Sequence, residues 1–156
     1  MQEDEKWKER AVEILEITRD KKAYLPLLLL ADPSEDMVDR YLERGRLFVL
    51  FSEGEALSCA VVTREDETTC ELKNLATRED HWRRGLASSL LTHLFSLFAE
   101  RFDTMLVGTG DEGLFYQKHG FAYSHTLPDF FVANYPEPII ENGVRLRDMI
   151  YLKRPL

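Results

Sequence analysis

The sequence predicts a layered domain of the α/β (α+β) kind, with helices packed over one sheet, and three observations carry that prediction. Short apolar runs separated by turn-forming clusters fill the chain from Leu47 to Ala76. One long stretch, Ala87 to Phe102, has helical periodicity: Leu90, Leu91, Leu94, Phe95 and Phe98 form a single apolar stripe. Near the end Asn142-Gly143 separates two apolar runs, a strong hairpin signal.

Taken in order, Val12 to Ile17 alternates imperfectly around Glu13 and Glu16 and reads as a first strand or the end of a helix. Lys22 to Ala31 reads as a leucine-rich helix. A second helix start follows, with Asp32 as cap, Pro33 at the first helical position and Glu35 completing a capping box. Met37, Val38, Tyr41 and Leu42 recur at helical spacing, and Gly45 is the stop. Leu47 to Phe51 is continuously apolar, as suits a central strand buried on both faces. Ser52 to Glu55 turns the chain into the returning strand Ala56 to Thr63, and Arg64 to Glu67 turns it again into Thr68 to Ala76. After the long helix, Thr104 to Gly108 is a short buried strand and Glu112 to His119 a short helix. Ile139-Ile140 and Val144 to Leu152 are the arms of the closing hairpin. With no repeats, low-complexity tracts or linkers, residues 1–156 read as one unit.

Composition narrows the function. Of the 156 residues 44% are hydrophobic and 31% charged, ordinary for a globular protein. A net charge of −8 argues against nucleic acid as a partner, because phosphate contacts need concentrated positive charge. No apolar run approaches the roughly 20 residues that span a bilayer, and the start, MQEDEKWKER, lacks the apolar core of a secretory signal. No membrane association and a cytoplasmic location are the expectation. Cys59 and Cys70 are the only cysteines, which leaves neither a disulfide framework nor a CxxC metal site. His81, His93, His119 and His125 are scattered without metal spacing, so no metal is expected.

The stretch Glu71 to Leu91, ELKNLATREDHWRRGLASSLL, carries the chemistry. A strand feeds a short basic loop, and the loop opens the amphipathic helix at Gly85. Helix N-termini gather free backbone N–H groups and positive partial charge, so this junction suits a phosphate or pyrophosphate, with Arg83 and Arg84 as fixed cations beside it. Arg84-Gly85-Leu86-Ala87, following Leu75-Ala76-Thr77, resembles the acyl-coenzyme-A loop of the GNAT superfamily of N-acetyltransferases. Phe115-Tyr116-Gln117-Lys118-His119-Gly120-Phe121 is similar to that family's late helix-to-strand segment. Trp82 stands where the family pattern has Gln or Arg.

The resemblance implies a mixed, mostly antiparallel central sheet flanked by helices, and transfer of an acetyl group from acetyl-coenzyme A to an amine by direct attack. It places the thioester carbonyl at the backbone of Leu75 and Ala76, near Thr77, with Asn74 accompanying a bulge. It places the pyrophosphate on the segment Arg83, Arg84, Gly85, Leu86, Ala87 and Ser88. Tyr116 is the implied acid for the departing thiolate. Alternation puts Cys70 and Leu72 on one strand face and Glu71 and Lys73 on the other. Glu71 is then either the base that removes the amine proton through a water, as a glutamate on this strand often does in the family, or an exposed carboxylate paired with Lys73 or an arginine. Asp111 reads as a cap for the helix near Glu112. For the acceptor, a small-molecule or protein amine, Phe130, Phe131 and Tyr135 form a candidate aromatic wall, and Asp129, Glu137 and Glu141 candidate attractors of an ammonium. Many relatives dimerise through their C-terminal strands, so a homodimer is an expectation too. A non-catalytic acyl-coenzyme-A-binding module is the alternative reading.

Overall fold

The computed structural model describes residues 12–156; the charged start of the chain, residues 1–11, lies outside the described residues. Seven strands form one sheet in the order β1-β2-β3-β4-β5-β9-β6. The first four are β1 (Val12–Ile17), β2 (Arg46–Ser52), β3 (Glu55–Arg64) and β4 (Thr69–Thr77). They run antiparallel in chain order; short turns join β3 to β2 and to β4, whereas residues 18–45, which hold the first helices, link β1 to β2. β5 (Thr104–Thr109) lies parallel to β4, and the 13-residue helix α3 (Leu86–Phe98) makes the crossover. β9 (Met149–Pro155) pairs antiparallel with β5 on one side and β6 (Ala122–Leu127) on the other. The sheet is therefore mixed and mostly antiparallel, as expected.

Two apolar layers cover it. On one face Leu86, Leu90, Leu91, Leu94 and Phe98 of α3 pack on Cys70, Leu72, Met105 and Val107. On the other, Leu27 and Leu28 of α1 (Leu25–Leu28) and Val38 of α2 (Glu35–Asp39) pack with Tyr41 and Leu42 on Leu47, Val49, Cys59 and Val61. Both cysteines are buried free thiols, and burial pushes each up to about 12, which makes them inert.

The structure corrects several boundaries. The leucine-rich helix is a 3-10 turn, Lys21–Tyr24, followed by the single turn α1, because Pro26 supplies no N–H and fits only at a helix start. The cap of α2 is Ser34, whose Oγ accepts from the Met37 N–H at 3.3 Å. Asp32 is instead buried and bonded to two tyrosines. The short helix α4 spans Leu114–Gln117, and its N-cap is Gly113, at φ +66°. Asp111 does not cap it; Asp111 Oδ1 accepts from the Gly113 N–H at 2.7 Å and from Thr109 Oγ1 at 2.8 Å within the preceding turn. At Asn142-Gly143 both residues have positive φ, the geometry of a two-residue hairpin turn. Its arms are only β7 (Ile140–Glu141) and β8 (Val144–Arg145), which form a separate two-stranded ribbon before β9 begins. Strand β6 and helix α5 (Phe130–Asn134) were not placed by periodicity.

Candidate functional site

The site begins where two parallel strands part. β4 and β5 pair from Thr69↔Thr104 to Leu72↔Val107; beyond that β4 continues to Thr77 without β5 beside it. The cause is visible in the register with β3, where Val61 faces Asn74 and Val62 faces Leu72, leaving Lys73 as the unopposed residue of a bulge. Asn74, expected to accompany a bulge, stands immediately after the unopposed Lys73. One extra residue reverses the alternation. Cys70, Leu72 and Leu75 pack toward α3, whereas Asn74 and Ala76 face α1 and α2. Glu71 and Asn74, of opposite parity by sequence, thereby line one cavity.

On the N-terminal side of α3 lies a hollow of about 550 Å³ lined by Leu75, Ala76, Thr77, Arg83, Gly85, Leu86, Ala87 and Ser88. Of the cofactor residues expected from sequence, Arg84 alone does not line it. Gly85 has φ +79° and Arg83 φ +64°, and a Cβ built on Gly85 would meet nothing within 4 Å. No side chain caps the first turn of α3. The first-turn amides of Leu86, Ala87 and Ser88 thus carry the unpaired positive end of a three-turn helix. The Trp82 indole N–H donates to the Thr77 carbonyl at 2.8 Å and closes the loop back on the end of β4. The hydroxyl of Ser88 is engaged by His119 Nε2 at 3.0 Å, while His119 Nδ1 is 2.8 Å from the Phe115 carbonyl. That tie between α3 and α4 had no local signal in the sequence.

A second cavity, of about 380 Å³, occupies the far side of the strand opening. Glu71 is buried within it at 6% exposure. Its Oε2 lies 3.0 Å from Lys73 Nζ and accepts from the Tyr151 hydroxyl at 3.4 Å. Burial raises its carboxyl above the ordinary range, and the Lys73 ammonium partly opposes that rise. Neither sequence reading of Glu71 was complete: it pairs with Lys73, yet it is buried and lines a cavity. Tyr151, stacked on the His125 ring at 4.7 Å, had no signal in sequence spacing. Phe130, Phe131, Tyr135 and Glu141 line this cavity, whereas Asp129 and Glu137 do not; Asp129 is exposed and pairs with Arg147 at 3.0 Å.

The two hollows share Leu30, Ala31, Leu75 and Tyr116. Tyr116 packs edge-on against Phe115 and Phe121, with ring centroids 5.3 and 5.6 Å away. Packing and a place in the site are therefore compatible. Burial pushes the phenol up to about 12, and Asp111 adds to the shift. At neutral pH it keeps its proton.

Residues 43–123 match the family described as "Acetyltransferase (GNAT) domain". The chain belongs to the GNAT acetyltransferase family. It is 36% identical over 147 residues to YvbK of Bacillus subtilis (strain 168), described as an uncharacterized N-acetyltransferase, covering 90% of this chain and 93% of the relative. A GNAT family acetyltransferase from Elizabethkingia anophelis, solved with acetyl-CoA bound, superposes with a TM-score of 0.88 at 35% identity over 93% of this chain and 98% of its own. An acetyltransferase of Bacillus subtilis solved in complex with CoA gives 0.83 at 34% identity over 94% and 99%.

Proposed function

We propose that the protein is an N-acetyltransferase that uses acetyl-CoA to acetylate a primary amine by direct attack. The observation that carries this reading is the meeting of the two cavities at Leu75 and Tyr116, beside strands that part. One cavity ends on an uncapped helix N-terminus, suited to a pyrophosphate. The other holds a buried carboxylate at Glu71.

Each residue has a task set by its chemistry. Backbone N–H groups around Leu75 and Ala76, freed from β5, polarise the thioester carbonyl. Glu71, through a water, takes the proton that the attacking amine must lose. The new N–C bond forms as the C–S bond breaks, and Tyr116 gives its proton to the departing thiolate. The products are the acetamide and free coenzyme A. Its raised pKa keeps Tyr116 protonated at neutral pH, so the proton is at hand when the C–S bond breaks.

Release of free thiol from acetyl-CoA, followed across a panel of primary amines, tests the reading. Amine-dependent release that falls in Tyr116→Phe supports it. Tight coenzyme binding with no release from any amine points back to a non-catalytic binding module.

A further inference from the structure

The acceptor cavity holds a second buried carboxyl group that the acetyl-transfer chemistry leaves unused. Asp32 is 8% exposed and lines the cavity. It behaves as an acceptor throughout. Tyr41 takes an N–H from Asn74 Nδ2 at 3.1 Å, so its own single proton is left for Asp32 Oδ2 at 2.9 Å. The Tyr135 hydroxyl lies 2.9 Å from Asp32 Oδ1, and the Ser34 N–H donates to the same oxygen at 3.4 Å. Among the described residues no Lys, Arg or His pairs with it. Glu71, by contrast, already has Lys73 at 3.0 Å.

A second and independent observation points the same way. Asn74, 3% exposed, lines the same cavity, and its Nδ2 is committed to the Leu28 carbonyl at 3.0 Å. A carbonyl can only accept, so the amide orientation is fixed, and Oδ1 is the atom left over. It is buried without a partner among the described residues. Buried acceptors without donors are costly, and a buried carboxylate without a cation more so. Asp32 thus brings a carboxylate to this end of the cavity with no cation paired to it among the described residues.

The amine that attacks the thioester cannot supply that charge, because it must be neutral to react and becomes an amide afterwards. We propose that the Asp32 end of the cavity anchors a second, permanently protonated nitrogen, so that the preferred acceptor is a diamine or polyamine rather than a monoamine. The inference rests on acetyl transfer at Glu71 and Tyr116 as read above. Asn74 and Glu71 stand opposite Val61 and Thr63, only two residues apart on β3 because Lys73 bulges, roughly 7 Å along an extended strand. A flexible chain of several methylenes joins two nitrogens across such a span.

The test is calorimetric titration of the coenzyme-bound protein with α,ω-diamines of three to six carbons against the matched n-alkylamines, for the wild type, Asp32→Asn and Asp32→Glu. The expected result is that the best diamine binds at least about 30-fold more tightly than its monoamine. Asp32→Asn should erase the difference and spare the monoamine, and Asp32→Glu should retain a diamine preference. Equal binding of diamine and monoamine by the wild type at every length overturns the subsite whether or not the variants fold. Equal weakening of both ligands in Asp32→Asn also overturns it and leaves Asp32 a structural tie. Thiol release on the same series separates the two ideas: equally efficient transfer to monoamines keeps the transferase and discards the subsite, whereas diamine binding without thiol release keeps the subsite and discards transfer.

Discussion

Gly85 offers a perturbation whose folding and binding effects can be separated. Its φ of +79° is a conformation that costs an L-residue about 1–2 kcal/mol. Replacement by alanine recovers about 0.4–1 kcal/mol by restricting the unfolded chain. The net cost to folding of Gly85→Ala is therefore about 1 kcal/mol, since the added Cβ meets nothing within 4 Å. For a chain of this size that lowers Tm by about 2–4 °C. Gly54 is a matched control: its φ is +80°, its Cβ would also meet nothing, and it sits in the β2–β3 turn, lining neither cavity. Gly54→Ala should lose the same stability and bind coenzyme A as the wild type does. In Gly85→Ala the same methyl group stands in the hollow proposed to take the pyrophosphate. Coenzyme affinity should drop at least about 10-fold, equivalent to about 1.4 kcal/mol. Thermal unfolding and calorimetric titration with coenzyme A read the two quantities. Equal coenzyme affinity in the two variants would refute the cradle.

Other expectations follow from the same geometry. Tyr116→Phe should lower kcat about 100-fold with little change in coenzyme affinity, read by steady-state thiol release and calorimetry. As the proposed base Glu71 works only when ionised, and burial raises its pKa, so kcat/KM should fall as pH drops through that raised value. Lys73→Met removes the opposing cation and should move this acid limb to higher pH, Lys73→Arg should not, and Glu71→Gln should abolish the limb. Leu90→Ala, at a fully buried position on the sheet-facing side of α3, should cost about 2–5 kcal/mol in urea unfolding. Trp82→Phe removes the hydrogen bond to Thr77, worth about 1 kcal/mol, and should weaken coenzyme binding by loosening the loop.

What the sequence revealed was what local chemistry determines. The hairpins from β2 to β4, the stripe of α3 and the Asn142-Gly143 turn all follow from periodicity and turn residues, and all are present. The residues proposed to hold the coenzyme, Arg84 excepted, line one hollow because they are nearly contiguous along the chain. Asp32 shows the opposite case. As Asp-Pro before an apolar run it has every local mark of a helix cap, yet its partners are Tyr41 and Tyr135, the second 103 residues away. Burial against a distant hydroxyl outweighs a cap that Ser34 supplies as well. Glu71 and Asn74 were separated by strict alternation and are reunited by one bulged residue, Lys73. Strand β6 carries Tyr123, Ser124 and His125, too polar for an apolar-run signal, and is held by its ladder with β9.

If coenzyme and acceptor meet at Leu75 and Tyr116, a crystal structure with coenzyme A bound will show it. The pyrophosphate should lie on the backbone amides of residues 83–88, the pantetheine arm between the parted ends of β4 and β5, and the sulfur beside the Tyr116 hydroxyl. A coenzyme lying elsewhere, or a sulfur pointing away from Tyr116 with the second cavity closed to it, would rule out that meeting point.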